Sequence, residues 1–151
     1  MVLLAGVYFA KRKDGTPYYR SSITFRNKHI SLGSFPTEEL AHKAYVDATT
    51  LISSPSLRIH DYKSNAYVLS FHKWVVLVNY RDNNIYSRNP LYLRNRYFEY
   101  YFDKHTFLKF DVDDLFYYSN HKIMKRGGHL FVQDFGMQVN ILSRYGIKNF
   151  A

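Results

Sequence analysis

The run PYYRSSITFRNKHISLGSFPTEELAHKAYVDA changes its hydrophobic period once, and that change restricts what the chain can fold into. From Tyr18 to Phe25 the side chains alternate. Tyr19, Ser21, Ile23 and Phe25 fall on one face, and Arg20, Ser22, Thr24 and Arg26 on the other. Asn27-Lys28 reads as a tight turn. His29 to Leu32 form another run, with Ile30 and Leu32 on the apolar side, and Gly33 lets the chain break. Pro36 stops the strand, Thr37 is placed to cap a helix, and Glu38 and Glu39 suit that helix's positive end. Leu40, Ala41, Ala44, Tyr45 and Ala48 then recur at helical spacing. Upstream, residues 2–10 read as a first strand and Asp14-Gly15 as a hairpin signal. The sequence therefore predicts three antiparallel strands with one alanine-rich helix across their apolar face.

Charge separates along this unit. Residues 1–35 hold six lysines and arginines against Asp14 alone. Residues 36–62 hold Lys43 and Arg58 against Glu38, Glu39, Asp47 and Asp61. The cations thus belong to the strands, and the acids to the helix and the segment after it. The whole chain carries a net charge of +9, which favours a polyanionic partner. A basic sheet face can also be only a solvated one. The functional reading is that the uncovered face lies on DNA, because a small sheet fits the major groove and arginine can grip phosphate or read guanine.

The segments Gly6-Val7-Tyr8, Tyr19-Arg20-Ser21-Ser22-Ile23, Leu32-Gly33-Ser34-Phe35, Thr37-Glu38-Glu39, Ala41 and Ala44-Tyr45 carry a resemblance. Together the pattern resembles the Apetala/ethylene-response-factor DNA-binding domain, above all its bacterial and phage versions found beside HNH homing endonucleases. It covers about residues 5–52. The resemblance implies binding through the open sheet face, with contacts at Tyr8, Ala10, Arg12, Arg20, Ser22, Thr24, Arg26, His29 and Ser31. Several positions that hold arginine or tryptophan in plant members hold Tyr8, Ala10, Thr24, His29 and Ser31 here. Arg12, Arg20, Arg26 and Lys28 remain, with Lys13 in the hairpin loop, and such a set suits gripping phosphate more than reading bases.

The stretch SSPSLRIHDYKSN lacks periodicity and reads as a linker, residues 53–65. Beyond it the composition becomes rich in tyrosine, phenylalanine and arginine. AYVLSFHKWVVLVNY reads as one or two strands, DVDDLFYYSNHK as a short helix start capped by Asp111 or Asp113, and the segment from Ile123 to Ile147 as a β-hairpin entered through Gly127-Gly128. Arginines beside tyrosines suit a single-stranded or distorted nucleic-acid site, and aromatic-rich strands also simply build cores. Lys125 and Arg126 are the candidate second basic contact. The expected fold class is α+β. A three-stranded antiparallel sheet on one helix (1–52) is followed by a second, mostly-β, aromatic-rich α+β domain (66–151).

No cysteine is present, which removes disulfides and thiolate chemistry and fits a reducing compartment. The apolar start MVLLAGVYFA is short and has no basic leader, so it reads as a strand and not a signal peptide. No run is long enough to cross a membrane. The expected location is the cytoplasm of a bacterial host cell. The seven histidines show no convincing metal spacing, although His121 and His129 flank a basic loop downstream of Asp111, Asp113 and Asp114. No cofactor and no catalytic group is expected. The reading is a non-catalytic nucleic-acid-binding protein of phage or mobile-element type, with duplex DNA as partner. One alternative is a phage-encoded anti-defence inhibitor, anti-CRISPR-like, whose partner is a nuclease effector or its nucleic-acid complex. Another is the remnant of an HNH homing endonuclease.

Overall fold

A computed structural model describes residues 2–115 and the backbone of three further strands at 123–126, 129–134 and 137–140. The architecture is α+β. Strands β1 (Val7–Lys11), β2 (Pro17–Phe25) and β3 (Lys28–Phe35) form an antiparallel sheet in the order β1-β2-β3. Helix α1 (Glu38–Ser53) crosses it. Helix α2 (Phe71–Asn83) packs on α1 and on a second antiparallel sheet of β4 (Leu91–Leu93), β5 (Tyr97–Asp103) and β6 (Thr106–Asp111). Strands β7 (Ile123–Arg126), β8 (His129–Asp134) and β9 (Met137–Asn140) form a third.

The first sheet follows its alternation. Val7, Ile23, Ile30 and Leu32 are buried towards α1, whose buried residues are Ala41, Ala44, Asp47, Ala48 and Leu51. The alanines let the helix sit close. Closest of all is Gly6, where a Cβ would lie 2.2 Å from the Tyr45 ring and where φ is +77°. Thr37 caps α1 by accepting from the Leu40 amide at 3.2 Å, as its position in the sequence predicts. Leu40, expected on the apolar stripe, is exposed instead, because the stripe rotates onto Ala41, Ala48 and Leu51.

The second turn of this sheet differs from expectation. Phe25 pairs with Lys28, so the two central residues are Arg26 and Asn27, not Asn27-Lys28. Both have positive φ, +53° and +63°, as a two-residue hairpin turn of matching twist requires. Asn tolerates this conformation and Arg does so at a cost. The cost is offset by hydrogen bonds that the Arg26 guanidinium donates to the C-terminus of α2: to the carbonyls of Tyr80 at 2.6 Å and Arg81 at 2.9 Å, and to Asn84 Oδ1 at 3.1 Å. A cation there also meets the negative end of the helix dipole.

Residues 71–83 correct the expectation of strands over 66–80. The segment is helical, capped by Ser70, whose hydroxyl accepts from the Lys73 amide at 3.3 Å. Every residue from Trp74 to Arg81 is buried. A helix enclosed on all sides keeps no amphipathic period, and Val75, Val76 and Val78 carry strand propensity, so the local signal points the wrong way. The core is continuous through this helix: Ile23, Ile30 and Leu51 from the first unit join Leu69, Trp74, Leu77 and Tyr101 in one cluster. Residues 53–65 contribute to it as well. A 3-10 turn at Ile59–Asp61 buries Ile59, and the Arg58 carbonyl accepts from Trp74 Nε1 at 3.0 Å. Asp111 caps a second 3-10 turn, Val112–Asp114, by accepting from the Asp113 amide at 2.9 Å, as the sequence suggested. The expected C-terminal hairpin is present as β8–β9 and is preceded by β7, whose Arg126 pairs with His129 across Gly127-Gly128. Among the described residues, no helix is long and apolar enough to cross a membrane.

Candidate nucleic-acid interface

The face of the first sheet away from α1 is built from alternate residues of its three strands. Tyr8 pairs with Arg20, Ala10 with Tyr18, Ser22 with Ser31 and Thr24 with His29. A bulge near Gly33 absorbs one extra residue of β3, and Leu32 and Gly33 fill the step between Ser31 and Ser34. Register on the open side is thereby restored, so that Ser34 pairs with Arg20. Gly33 has φ +124°, a conformation side chains disfavour, which is why glycine stands at the step.

Tyr18 organises the cations of this face. The Arg12 guanidinium lies over its ring at 4.9 Å and the Arg20 guanidinium at 5.6 Å. Arg20 Nη2 also donates to the Tyr18 hydroxyl at 2.9 Å. Two like charges around one ring repel each other, so the arrangement favours an anion between them. No strand of this sheet contains an acidic residue. The ion pairs among the described residues are Lys43–Asp47, Arg81–Asp82 and Arg94–Glu99, none on this face. Asp14, in the hairpin loop, is the carboxylate near Arg12. Hydrogen bonds from Thr16 hold its carboxyl below the usual range, and the charge of Arg12 adds to the effect.

Beside Arg20 the face is concave. Tyr8, Arg20, Ser21, Ser22, His29 and Ser31 line a shallow depression of about 370 Å³. Tyr8 stands at its edge with 54% of its surface exposed. Exposed Ser31 contributes a hydroxyl and exposed His29 an imidazole, both able to donate to a phosphate oxygen, whereas Ser22 is buried at 6% exposure.

Most residues singled out in the sequence are thus brought together. Tyr8, Arg20, Ser22, Thr24 and His29 share the open face with Ala10 and Ser31 by strand pairing, and Arg12 joins them through the Tyr18 ring. Lys13 is exposed in the hairpin loop at its end. Arg26 is not among them, since its guanidinium closes the end of α2. Lys28 turns towards the second half of the molecule, its ammonium 4.5 Å from the Tyr86 ring centre. Lys125 and Arg126 belong to β7, and their side chains lie outside the described residues, as do those of His121 and His129. Tyr18 is the residue that sequence reasoning missed. Its signal was available, because it sits two positions before Arg20 on the same strand face.

Among the described residues there is no group of three or more histidine, aspartate or glutamate side chains placed to hold a metal ion. No family model matches the chain, and comparison with curated proteins and with solved structures gives no match.

Proposed function

We propose that this chain is a non-catalytic DNA-binding protein that lays the open face of its first sheet on a duplex. The observation that carries the reading is the pair of arginines stacked about Tyr18, on a face with no carboxylate among its strands. The net charge of +9 and the resemblance of residues 5–52 to the Apetala/ethylene-response-factor domain support it independently. The side chains present favour contacts to phosphate. Arg12 and Arg20 supply charge, and the exposed Thr24, His29 and Ser31 supply donors around them. Such contacts set the protein's position on the duplex and discriminate weakly between sequences.

Fluorescence anisotropy with a labelled duplex over a range of salt concentrations tests the reading. The wild type should bind with an affinity that falls steeply with salt. Arg12→Ala/Arg20→Ala should lose about tenfold or more in affinity and reduce the logarithmic salt slope by about 2, one unit for each phosphate contact removed. Affinity and slope unchanged in the double variant would refute binding through this face.

A further inference from the structure

A second cleft lies away from the open face, where the 3-10 turn at 59–61, α2 and the second sheet meet. Its volume is about 310 Å³, at the lower end of the range of roughly 300–1,000 Å³ typical of small-molecule sites. Three features of its wall point to one kind of occupant.

The floor holds one buried carboxylate. Glu99 is only 5% exposed, and its Oε1 accepts from Arg94 Nε at 2.7 Å and from the Tyr101 hydroxyl at 3.0 Å. Among the described residues its Oε2 accepts no hydrogen bond, yet the side chain lines the cleft. Asp82, also on the lining, is exposed and already taken: it accepts from Arg81 Nε at 2.8 Å, from Arg81 Nη2 at 3.2 Å and from the Tyr92 hydroxyl at 2.9 Å, which leaves Glu99 Oε2 as the open acceptor. A carboxylate oxygen in such a place calls for an N–H donor. The side wall is aromatic, with Phe107 still 36% exposed and Tyr92 fixed under the Arg94 guanidinium at 4.4 Å. The rim carries the cations Arg58, which is exposed, and Lys104, with the exposed His60 imidazole beside them.

A buried acceptor, a stacking wall and cations at the rim match, in order, the base edge, the base plane and the phosphate of a nucleotide. We propose that this cleft binds a single nucleotide, with a guanine base preferred. Guanine presents two adjacent N–H donors on its pairing edge, which suits a carboxylate. Phe107 supplies the stacking surface, Glu99 accepts from the base, and Arg58 meets the phosphate. The source is either a free mononucleotide or an unpaired nucleotide of a strand. The proposal does not rest on DNA binding by the first sheet, which uses other residues.

Ligand-observed NMR and calorimetry on the full chain test it, with GMP, AMP and UMP in one arm and a short guanine-containing single strand in the other. Phe107→Ala and Arg58→Ala alter exposed side chains, and Glu99→Gln keeps volume, so all three can be checked for an intact fold by circular dichroism. GMP should bind more tightly than UMP. Phe107→Ala and Arg58→Ala should each weaken it about tenfold, and Glu99→Gln should erase the preference between bases. Binding of the strand alone, lost in the same variants, assigns the site to an unpaired nucleotide and supports the proposal equally. Neither ligand binding at about 5 mM, where even a ~1 mM site would be mostly filled, overturns it. So does binding that ignores the three variants, or binding abolished only by Arg12→Ala/Arg20→Ala.

Discussion

The first and second sheets both place arginines beside tyrosines, and they treat them in opposite ways. On the first, Arg12 and Arg20 share the Tyr18 ring with no ion-pair partner among the described residues. Around the second, Arg94 covers the Tyr92 ring but its guanidinium is tied to the buried Glu99. Arg81 is consumed altogether. It is 8% exposed, and it donates to the carbonyls of Leu51, Ser54 and Leu57 and to Asp82. The neighbouring acid or carbonyl, not the tyrosine, decides whether an arginine is structural or available. Arg26 shows the same rule within the first sheet: read from the sequence as a contact on the open strand face, it closes a helix end in the fold.

This contrast can be broken first at its strongest point. Arg81→Ala strands several carbonyls and the Asp82 carboxylate, and it should cost about 3–5 kcal/mol of stability by denaturant unfolding. Arg81→Lys should recover little of that, because one ammonium cannot reach partners spread around a planar fork. A loss under 1 kcal/mol would place Arg81 with the available arginines. Arg26→Ala removes three hydrogen bonds at a helix end, two of them part-buried, and should cost about 1–2 kcal/mol, with duplex affinity nearly unchanged. A large loss of affinity without loss of stability would move Arg26 back to the interface. Arg12→Ala/Arg20→Ala should leave stability within about 0.5 kcal/mol of wild type, read as the urea midpoint.

The finest test concerns pH. Burial, with the nearby charge of Glu99 and the hydrogen bond to it, pushes the Tyr101 hydroxyl up to about 12. An unfolded tyrosine titrates near ~10. Between those values the unfolded chain releases this proton while the folded one keeps it, so stability falls as pH rises. The contribution is complete below pH ~10 and lost through about 12. Tyr101→Phe should remove that part of the alkaline slope, measured as urea midpoints against pH. A slope identical in the variant would contradict the buried Glu99–Tyr101 contact.

How much of the fold is legible in the sequence depends on which forces act locally. The β1–β3 meander and α1 were legible because a half-exposed sheet and a half-exposed helix leave periods of two and near 3.6 in the chain. Thr37 was legible because a cap acts within three residues. Helix α2 was not, because burial on every side erases its period. Asp47 shows the same limit. It reads as one more helix acid but is 2% exposed, paired with Lys43 and accepting from the amides of Val68 and Leu69 at 2.7 and 3.2 Å. Nothing near Asp47 in sequence announces partners twenty-one residues away. At the candidate interface, alternation alone located Arg20, Ser22 and Thr24, and the family resemblance added Tyr8. The fate of Arg26 depended on α2, which that alternation could not see.

The central claim is that the open face, and not the second sheet, meets duplex DNA. It is tested most directly by amide chemical-shift mapping of the labelled protein during titration with a short duplex. The largest shifts are expected at Tyr8, Tyr18, Arg20, Ser22, His29 and Ser31, and small ones along α1 and β4–β6. Shifts centred on Arg58, Arg94 and Phe107, with the open face unmoved, would contradict it.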